Sequence, residues 1–286
     1  MPSRRRPGRW TVGSVERGSV TITLEAWEDF PDLVATTLGT YTNYVYRGQR
    51  RVQWRLESTL DRDFDRRGVL REDRARIRID HLESFKRATL GRRGPNPPIP
   101  ATANEWWALG QHQGLHTPLL DWTESPFVAL YFAFLKVGDP GARYRAVWGI
   151  SKDSVEDAAR ALEEKERFSP QAERASSATP PSTADASDRV VRYGIVRPMS
   201  NENARLVSQR GLFVRGPGGV AIEEWLRREH RTEASEWHLF KIRVRDKRRD
   251  GCLRFLNRMN INHLSLFPDL YGAAHYCNEQ LAIENY

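Results

Sequence analysis

The chain has 286 residues and a formal net charge of +8, with 39% hydrophobic and 10% aromatic residues. This apolar content supports a folded core and excludes an intrinsically disordered chain. No apolar run reaches the ~20 residues of a membrane helix, and the basic N-terminus lacks the apolar segment of a signal peptide, so we expect a cytoplasmic protein with no membrane partner.

The charge and the cysteines restrict the partners further. Nearly all of the basic charge is arginine, which fits a nucleic-acid partner but is equally compatible with an ordinary basic surface. Cys252 and Cys277 have neither the spacing nor the neighbouring histidines of a zinc site, and two cysteines cannot form a disulfide framework. We therefore expect no metal.

Residue periodicity predicts short strands alternating with helices along the chain. In the first half these are strand Val20–Leu24, helix Ala26–Thr37, strand Tyr41–Gln49, helix Glu72–Leu90, a loop over Gly91–Ala103, a helix capped by Asn104 and ending near Gly110 or Gly114, and helix Phe127–Leu135 opened by Ser125 and Pro126. In the second half they are strand Arg143–Ile150, helix Ser154–Arg167, strands Val190–Val196 and Leu212–Val214, helix Ile222–His230, strand Trp237–Val244, and helices Asp250–Asn260 and Pro268–Ala282.

These elements predict an α+β fold with two small, mostly antiparallel sheets around a cleft and helices outside. Residues 1–18 are expected to be a basic, flexible lead-in, and residues 19–286 a single domain. The Ser-, Ala- and Pro-rich stretch at about 169–188 is expected to be a flexible insertion within that domain. The absence of a glycine-rich phosphate loop argues against a Rossmann or P-loop fold.

The segment Tyr46-Arg47-Gly48-Gln49 ends a predicted strand. Arg47 offers a planar, permanently charged fork that suits phosphate or carboxylate, and Gly48 permits a close approach of backbone or ligand. An ordinary surface ion pair is the competing interpretation for this arginine.

The stretch from Trp106 to Pro126 concentrates polar and aromatic side chains between two helices. Aromatic walls with a few convergent polar groups are typical of a small-molecule pocket. Each residue also has a purely structural interpretation: His112 as a core histidine, Asp121 as a turn residue and Trp122 as packing.

A third segment, Asn201–Phe213, adds Arg205 and Gln209 before a short strand. Together with the other two segments it resembles the FRG-domain family, which is called after a Phe-Arg-Gly triplet. The matching motifs are Tyr46-Arg47-Gly48, Gln111-His112-x-Gly114-Leu115-x-Thr117-x-Leu119-Leu120-Asp121-Trp122-Thr123 with Ser125-Pro126, Ala129 and Phe132-Ala133 after it, Arg205-x-x-x-Gln209-x-Gly211-x-Phe213, and Leu266-Phe267-Pro268-Asp269-Leu270-Tyr271-Gly272. They run from about Thr42 to Gln280, with tyrosine replacing the first phenylalanine.

The order of these motifs is also similar to the ADP-ribosyltransferase layout. That resemblance implies that Arg47 binds the pyrophosphate of NAD, that Thr117 and Thr123 line the ribose pocket, and that Trp122 or Tyr46 stacks on nicotinamide. Gln209 stands where the superfamily has a catalytic glutamate. Because glutamine orients a hydroxyl without supplying a negative charge, the carboxylate stays open among Glu202, Glu124 and Asp121. The candidate catalytic residues are Arg47, Gln209, Thr123 and His112, and the candidate NAD-binding residues are Tyr46, Arg47, Gly48, Gln111, His112, Thr117, Asp121, Trp122, Thr123 and Arg205.

The resemblance implies an NAD-consuming enzyme, an ADP-ribosyltransferase or NAD glycohydrolase that acts as a toxin or phage-defence effector. NAD would be its substrate, a nucleic acid or protein its acceptor, and an antitoxin its partner. The alternative is a nucleotide- or nucleic-acid-binding sensor module without catalysis. A third hypothesis, a hydrolase using His112 with Asp121, lacks a nucleophile motif.

Overall fold

The computed structural model describes residues 9–39, 42–167, 192–197, 204–230 and 237–286. Its strands form one eight-stranded mixed sheet in the order β1-β2-β8-β5-β3-β4-β7-β6. The strands are β1 (Trp10–Val12), β2 (Ser19–Leu24), β3 (Tyr44–Gln49), β4 (Leu119–Thr123), β5 (Tyr144–Ser151), β6 (Gly194–Val196), β7 (Gly211–Arg215) and β8 (Leu239–Arg245).

The α+β class predicted from the sequence is confirmed, but the prediction of two small sheets is wrong. Strand β8 pairs in parallel with β2 and antiparallel with β5, and this joins the N-terminal strands to the others in one sheet. The remaining neighbouring strands pair antiparallel. A parallel pair between segments about 220 residues apart leaves no local pattern in the sequence.

Helices cover both faces of the sheet. They are α1 (Phe30–Leu33), α2 (Thr59–Arg66), α3 (Arg71–Ala88), α4 (Ala103–His112), α5 (Pro126–Phe134), α6 (Lys152–Arg167), α7 (Ala204–Ser208), α8 (Ile222–Glu229), α9 (Arg249–Arg258), α10 (His263–Leu266) and α11 (Leu270–Ala282). A 3₁₀ turn (Trp27–Asp29) precedes α1 and a π-helical turn (Val34–Leu38) follows it. In the described part of the chain, no helix has the length and apolar character needed to span a bilayer.

Most predicted elements have their counterparts in the structure. As predicted, Ser125 caps α5, accepting from the Val128 N–H at 3.3 Å. The cap of α4 is Thr102 rather than Asn104, whose side chain instead donates to the carbonyl of Arg192. Strands β1 and β4 and helices α2, α7 and α10 are absent from the periodicity-based prediction.

Two segments predicted to be flexible lie partly or wholly outside the described residues. Within the lead-in predicted over residues 1–18, Trp10–Val12 pairs with β2, whereas residues 1–8 lie outside the described part. The insertion predicted at 169–188 also lies outside the described residues.

Helix α5 is the element that fixes the geometry of β3. Most of its apolar side chains, including Ala129 and Ala133, are buried against one face of the sheet. A Cβ atom on Gly48 would lie 1.9 Å from the Ala129 carbonyl oxygen and 2.6 Å from the Ala133 nitrogen. Glycine at this position therefore allows the backbone of α5 to lie directly on the strand that carries Arg47.

Candidate functional site

The candidate site is a cleft at a split in the sheet between β3 and β4. These strands pair only at Tyr46 and Thr123, whereas β3 pairs with β5 over six residues. Beyond that single pair β3 and β4 separate, and a cavity of about 820 Å³ lies at the opening. This volume is within the range of small-molecule sites.

Arg47 spans the split. Its Nη1 donates to the main-chain carbonyl of Asp121 at 2.6 Å and lies 3.6 Å from the Asp121 carboxylate. The side chain is 20% exposed, and its buried Nε has no hydrogen-bond partner among the described residues. Arg47 therefore lines the cleft while its Nη1 ties the two strands together.

The charge of Arg47 is incompletely compensated. Burial lowers the pKa of its guanidinium below the ordinary value; the Asp121 carboxylate opposes this shift and Arg62 adds to it. A bound anion between Arg47 and Arg62 would offset the cost of burying the first charge near the second.

A hydrogen-bond relay positions Asp121 at the opposite wall. Its carboxylate accepts from Nε2 of Gln111 at 2.8 Å, and the Gln111 carbonyl oxygen accepts from the hydroxyl of Thr117. The Thr117 hydroxyl in turn accepts from the Leu119 N–H at 3.2 Å. Thr117, which the resemblance places in the ribose pocket, and Gln111, a candidate NAD-binding residue, thus lie behind Asp121 and do not line the cleft.

We expect Thr117→Val to lower the free energy of unfolding by about 1–3 kcal/mol, because Thr117 is fully buried and valine leaves both of its partners unpaired. Urea denaturation measures this loss. The matched control is Thr36→Val, where an exposed hydroxyl donates to the Asp32 carbonyl and the expected change is within ~0.5 kcal/mol. Equal effects in both variants would contradict the relay.

The other residues of the Tyr-Arg-Gly and Asp-Trp-Thr motifs have structural roles beside the cleft. Tyr46 is 5% exposed, and burial raises the pKa of its hydroxyl to about 12. Trp122 is 3% exposed and packs in the core on the other face of the sheet, although its buried Nε1 has no partner among the described residues. Thr123 donates to the Gln209 carbonyl at 2.7 Å and accepts from Ser125 N–H at 3.1 Å, so its hydroxyl is fully engaged.

The closing motif of the chain forms the far wall. Gln209 lines the cleft, and its Nε2 donates to the Leu266 carbonyl at 3.1 Å, which brings the following residue, Phe267, to the cavity. Arg205 lies behind this wall, bonded through Nε and Nη2 to one Asp269 oxygen at 3.0 and 2.5 Å. Its guanidinium also packs on Phe267. Arg205 therefore holds the wall together and is not a lining residue.

His112 and Glu124, two candidates for a role in the chemistry, do not belong to the walls of the cleft. His112 does not line the cleft; burial lowers the pKa of its imidazole, and Arg205 lowers it further. Burial alone would raise the pKa of Glu124, but hydrogen bonds from Lys152 and Arg197 outweigh burial and lower it. The Glu124 carboxylate is thus paired with cations and does not line the cavity. Glu202 lies outside the described residues.

The described lining carries an excess of positive charge and several aromatic rings. The cations are Arg47, Arg50, Arg55, Arg62 and Lys136, the carboxylates are Glu57 and Asp121, and the aromatic residues are Tyr46, Trp54, Trp122, Phe132 and Phe267. Five cations face two carboxylates, so the cleft favours an anionic ligand with a flat, apolar part.

Glu57 is one of several lining residues that the sequence analysis does not name as candidates, and it carries a carboxylate. Its side chain is 20% exposed in the cleft wall, and its carboxylate lies 3.2 Å from Arg55. Burial raises the pKa of Glu57, and the nearby Asp65 and Glu223 raise it further against the opposing arginines. Glu57 stands outside every motif, and only its place just before the Ser58 cap of α2 sets it apart in the sequence.

Comparison with known proteins finds one similarity, which covers the segments that carry Arg47 and Asp121. Residues 42–140 match the model of the FRG domain. No curated protein and no solved structure matches the chain. The matched residues end before β5, yet β3 pairs with β5 along its whole length, so the folded unit extends beyond the match.

Proposed function

Because the chain contains an FRG domain whose matched residues include both Arg47 and Asp121, we propose that its cleft binds NAD and cleaves the bond between nicotinamide and ribose. The observation that carries this proposal is the split between β3 and β4, where a cavity with five cations and five aromatic residues opens beside Arg47. A pyrophosphate fits the cations, and a base or nicotinamide ring fits the aromatic walls.

In the proposed reaction the N-glycosidic bond breaks and its electron pair leaves with nicotinamide, which becomes neutral. The ribose is left as an oxocarbenium-like cation. Water or a nucleophilic acceptor then bonds to that carbon and loses a proton. The two outcomes are those of an NAD glycohydrolase and an ADP-ribosyltransferase.

Glu57 supplies the carboxylate that this reaction needs. A negative group in a partly dehydrated wall stabilises positive charge developing on the ribose, and it does so best when few cations neutralise it. Among the described residues, one cation, Arg55 at 3.2 Å, lies within 4 Å of the Glu57 carboxylate, whereas three lie within 4 Å of Glu124. Gln209, which lines the same cleft, would orient the ribose hydroxyl.

We expect Glu57→Gln to lower the rate of nicotinamide release by about 100-fold or more while NAD binding is retained, because the variant removes charge but keeps shape. Chromatography measures release, and calorimetry measures binding. The matched control is Glu224→Gln, since Glu224 also pairs with Arg55 at 2.7 Å but does not line the cleft. Release that falls equally in both variants would remove Glu57 from the reaction.

An enzyme of this kind would deplete NAD or modify macromolecules, which suits a toxin or phage-defence effector with a partner antitoxin. Expression of the wild-type chain that arrests the growth of the host cells, with normal growth on expression of Glu57→Gln, would support this role. Growth unaffected by the active chain would contradict it.

A second candidate function is nucleotide binding without turnover. It is favoured by Gln209 at the position expected for a glutamate and by the engaged hydroxyl of Thr123. NAD binding by the wild-type chain with no nicotinamide release, in the presence of DNA, RNA or cell lysate, would select this function over the first.

A further inference from the structure

One face of the sheet carries a row of cations next to the cleft. On β8 the residues Lys241, Arg243 and Arg245 alternate with buried apolar residues, so all three point to the same side. In register, Arg47 of β3 lies beside Trp148, Trp148 beside Lys241, and Lys241 beside Thr21 of β2. Lys241 is therefore two strands from Arg47, about 10 Å across the sheet.

This row is open to solvent and is continued by a helix. Thr21 is exposed, and Lys241 and Arg243 are half-buried. Arg227 of α8 reaches the same face, where its Nη2 donates to the Ser19 hydroxyl at 3.3 Å. Three strands and one helix thus bring their polar groups to one surface.

Three of these cations have no acidic partner in the part of the chain that the structure describes. Within the described ranges, no carboxylate lies within 4.0 Å of Lys241, Arg243 or Arg227, whereas Arg245 lies 3.8 Å from Glu25. Burial lowers the pKa of Lys241. Glu223 opposes this shift, and Arg243 and Arg227 add to it. Like charges held together without counterions are destabilising, and an anion relieves that repulsion.

Aromatic rings support the cations and link them to the cleft. Lys241 Nζ lies 4.5 Å from the centre of the Trp148 ring, and Arg243 lies 4.4 Å from that of Tyr144. The Trp148 Nε1 donates to Gln49 of the cleft wall at 2.9 Å. The cation row and the cleft therefore share a wall.

An exposed ring stands at the cleft itself. Trp54 lines the cavity and is 41% exposed, with the guanidinium groups of Arg50 and Arg51 at 5.6 and 5.4 Å from its centre. An exposed tryptophan flanked by arginines is a platform for an unpaired base. A base-paired duplex would keep its bases stacked and unavailable to this ring.

We propose that the face formed by Lys241, Arg243 and Arg227 binds the phosphate backbone of a single-stranded nucleic acid and leads it to the cleft at Trp54. The protein recognises the negative charge along the phosphate backbone, and this recognition is independent of base sequence. It does not rest on the proposed NAD chemistry, because it needs only the sheet face, and its test contains no NAD.

The test measures binding of fluorescent 20-nucleotide oligo-dT and oligo-U by anisotropy at several salt concentrations. In the triple variant Lys241→Gln, Arg243→Gln, Arg227→Gln, we expect affinity at 0.1 M salt to fall about 100-fold and the slope of log K against log salt to lose about 2 units. Trp54→Ala is expected to weaken binding at least about fivefold.

The matched control is the triple variant Arg66→Gln, Arg76→Gln, Arg160→Gln. It also removes three positive charges, but from exposed ion pairs on helices. Its affinity is expected to stay within about twofold of the wild type. Equal weakening in both triple variants would overturn the proposal, as would no binding by the wild type. Equal or tighter binding of a duplex, of phosphatidylserine vesicles or of polyglutamate would overturn it too.

Discussion

Replacing Arg47 by alanine is expected to abolish NAD binding at accessible concentrations and with it nicotinamide release. The variant removes a cation that lines the cavity and, through Nη1, ties β3 to β4 across the split. Each charge-assisted hydrogen bond contributes about 1.5–3 kcal/mol, so losing two weakens binding by at least ~100-fold. Calorimetric titration with NAD and chromatography of released nicotinamide measure the two effects.

Two further variants separate binding from folding. Arg47→Lys keeps the charge but loses the planar fork, and we expect it to recover only a small part of the affinity. Arg66→Ala removes an exposed arginine that pairs with Asp63 outside the cleft, and should bind NAD like the wild type. NAD affinity unchanged in Arg47→Ala, with normal thermal unfolding, would overturn the assignment of this cleft to NAD.

Replacing Gly48 by alanine is expected to destabilise the fold by at least ~3 kcal/mol or to prevent folding. The new methyl group would overlap main-chain atoms of α5, at 1.9 Å from the Ala129 oxygen and 2.6 Å from the Ala133 nitrogen. Main-chain atoms of a packed helix cannot rotate away, so α5 must shift as a body and open the core. Urea denaturation measures the effect, or the soluble yield does if the variant does not fold.

The control for Gly48 lies in another helix. At Gly251 in α9 a Cβ would meet Trp27 at an ordinary 3.6 Å, so Gly251→Ala should stabilise the protein by up to ~1 kcal/mol. Truncating Ala129 to glycine in the Gly48→Ala background should give no rescue, because the obstructing atoms belong to the backbone. Wild-type stability of Gly48→Ala would contradict the contact between β3 and α5.

The Gly48 contact also changes the interpretation of the Tyr-Arg-Gly triplet. Its three residues divide their roles between packing and the cleft: Tyr46 is in the core, Arg47 crosses the split, and Gly48 admits α5. The triplet is therefore as much a packing motif as a ligand-binding motif.

Arg47 and Asp121 stood out as candidate site residues by their chemistry, and Gln209 only through the family resemblance. Local residue patterns were sufficient to predict most helices and strands. These features depend on periodicity and capping between near neighbours, as with Ser125 at the start of α5. The joining of all strands into one sheet was not predictable in this way, because it depends on the β2–β8 pair between the two ends of the chain. The same limit applies to Glu57, which precedes α2, because the place of α2 depends on long-range packing: its Leu60 and Phe64 share a buried cluster with Leu119 of β4. Which polar residues line the cavity and which stand behind it depends on long-range packing, and this is why Thr117 and Arg205 proved to be supports while Glu57 and Trp54 form the wall.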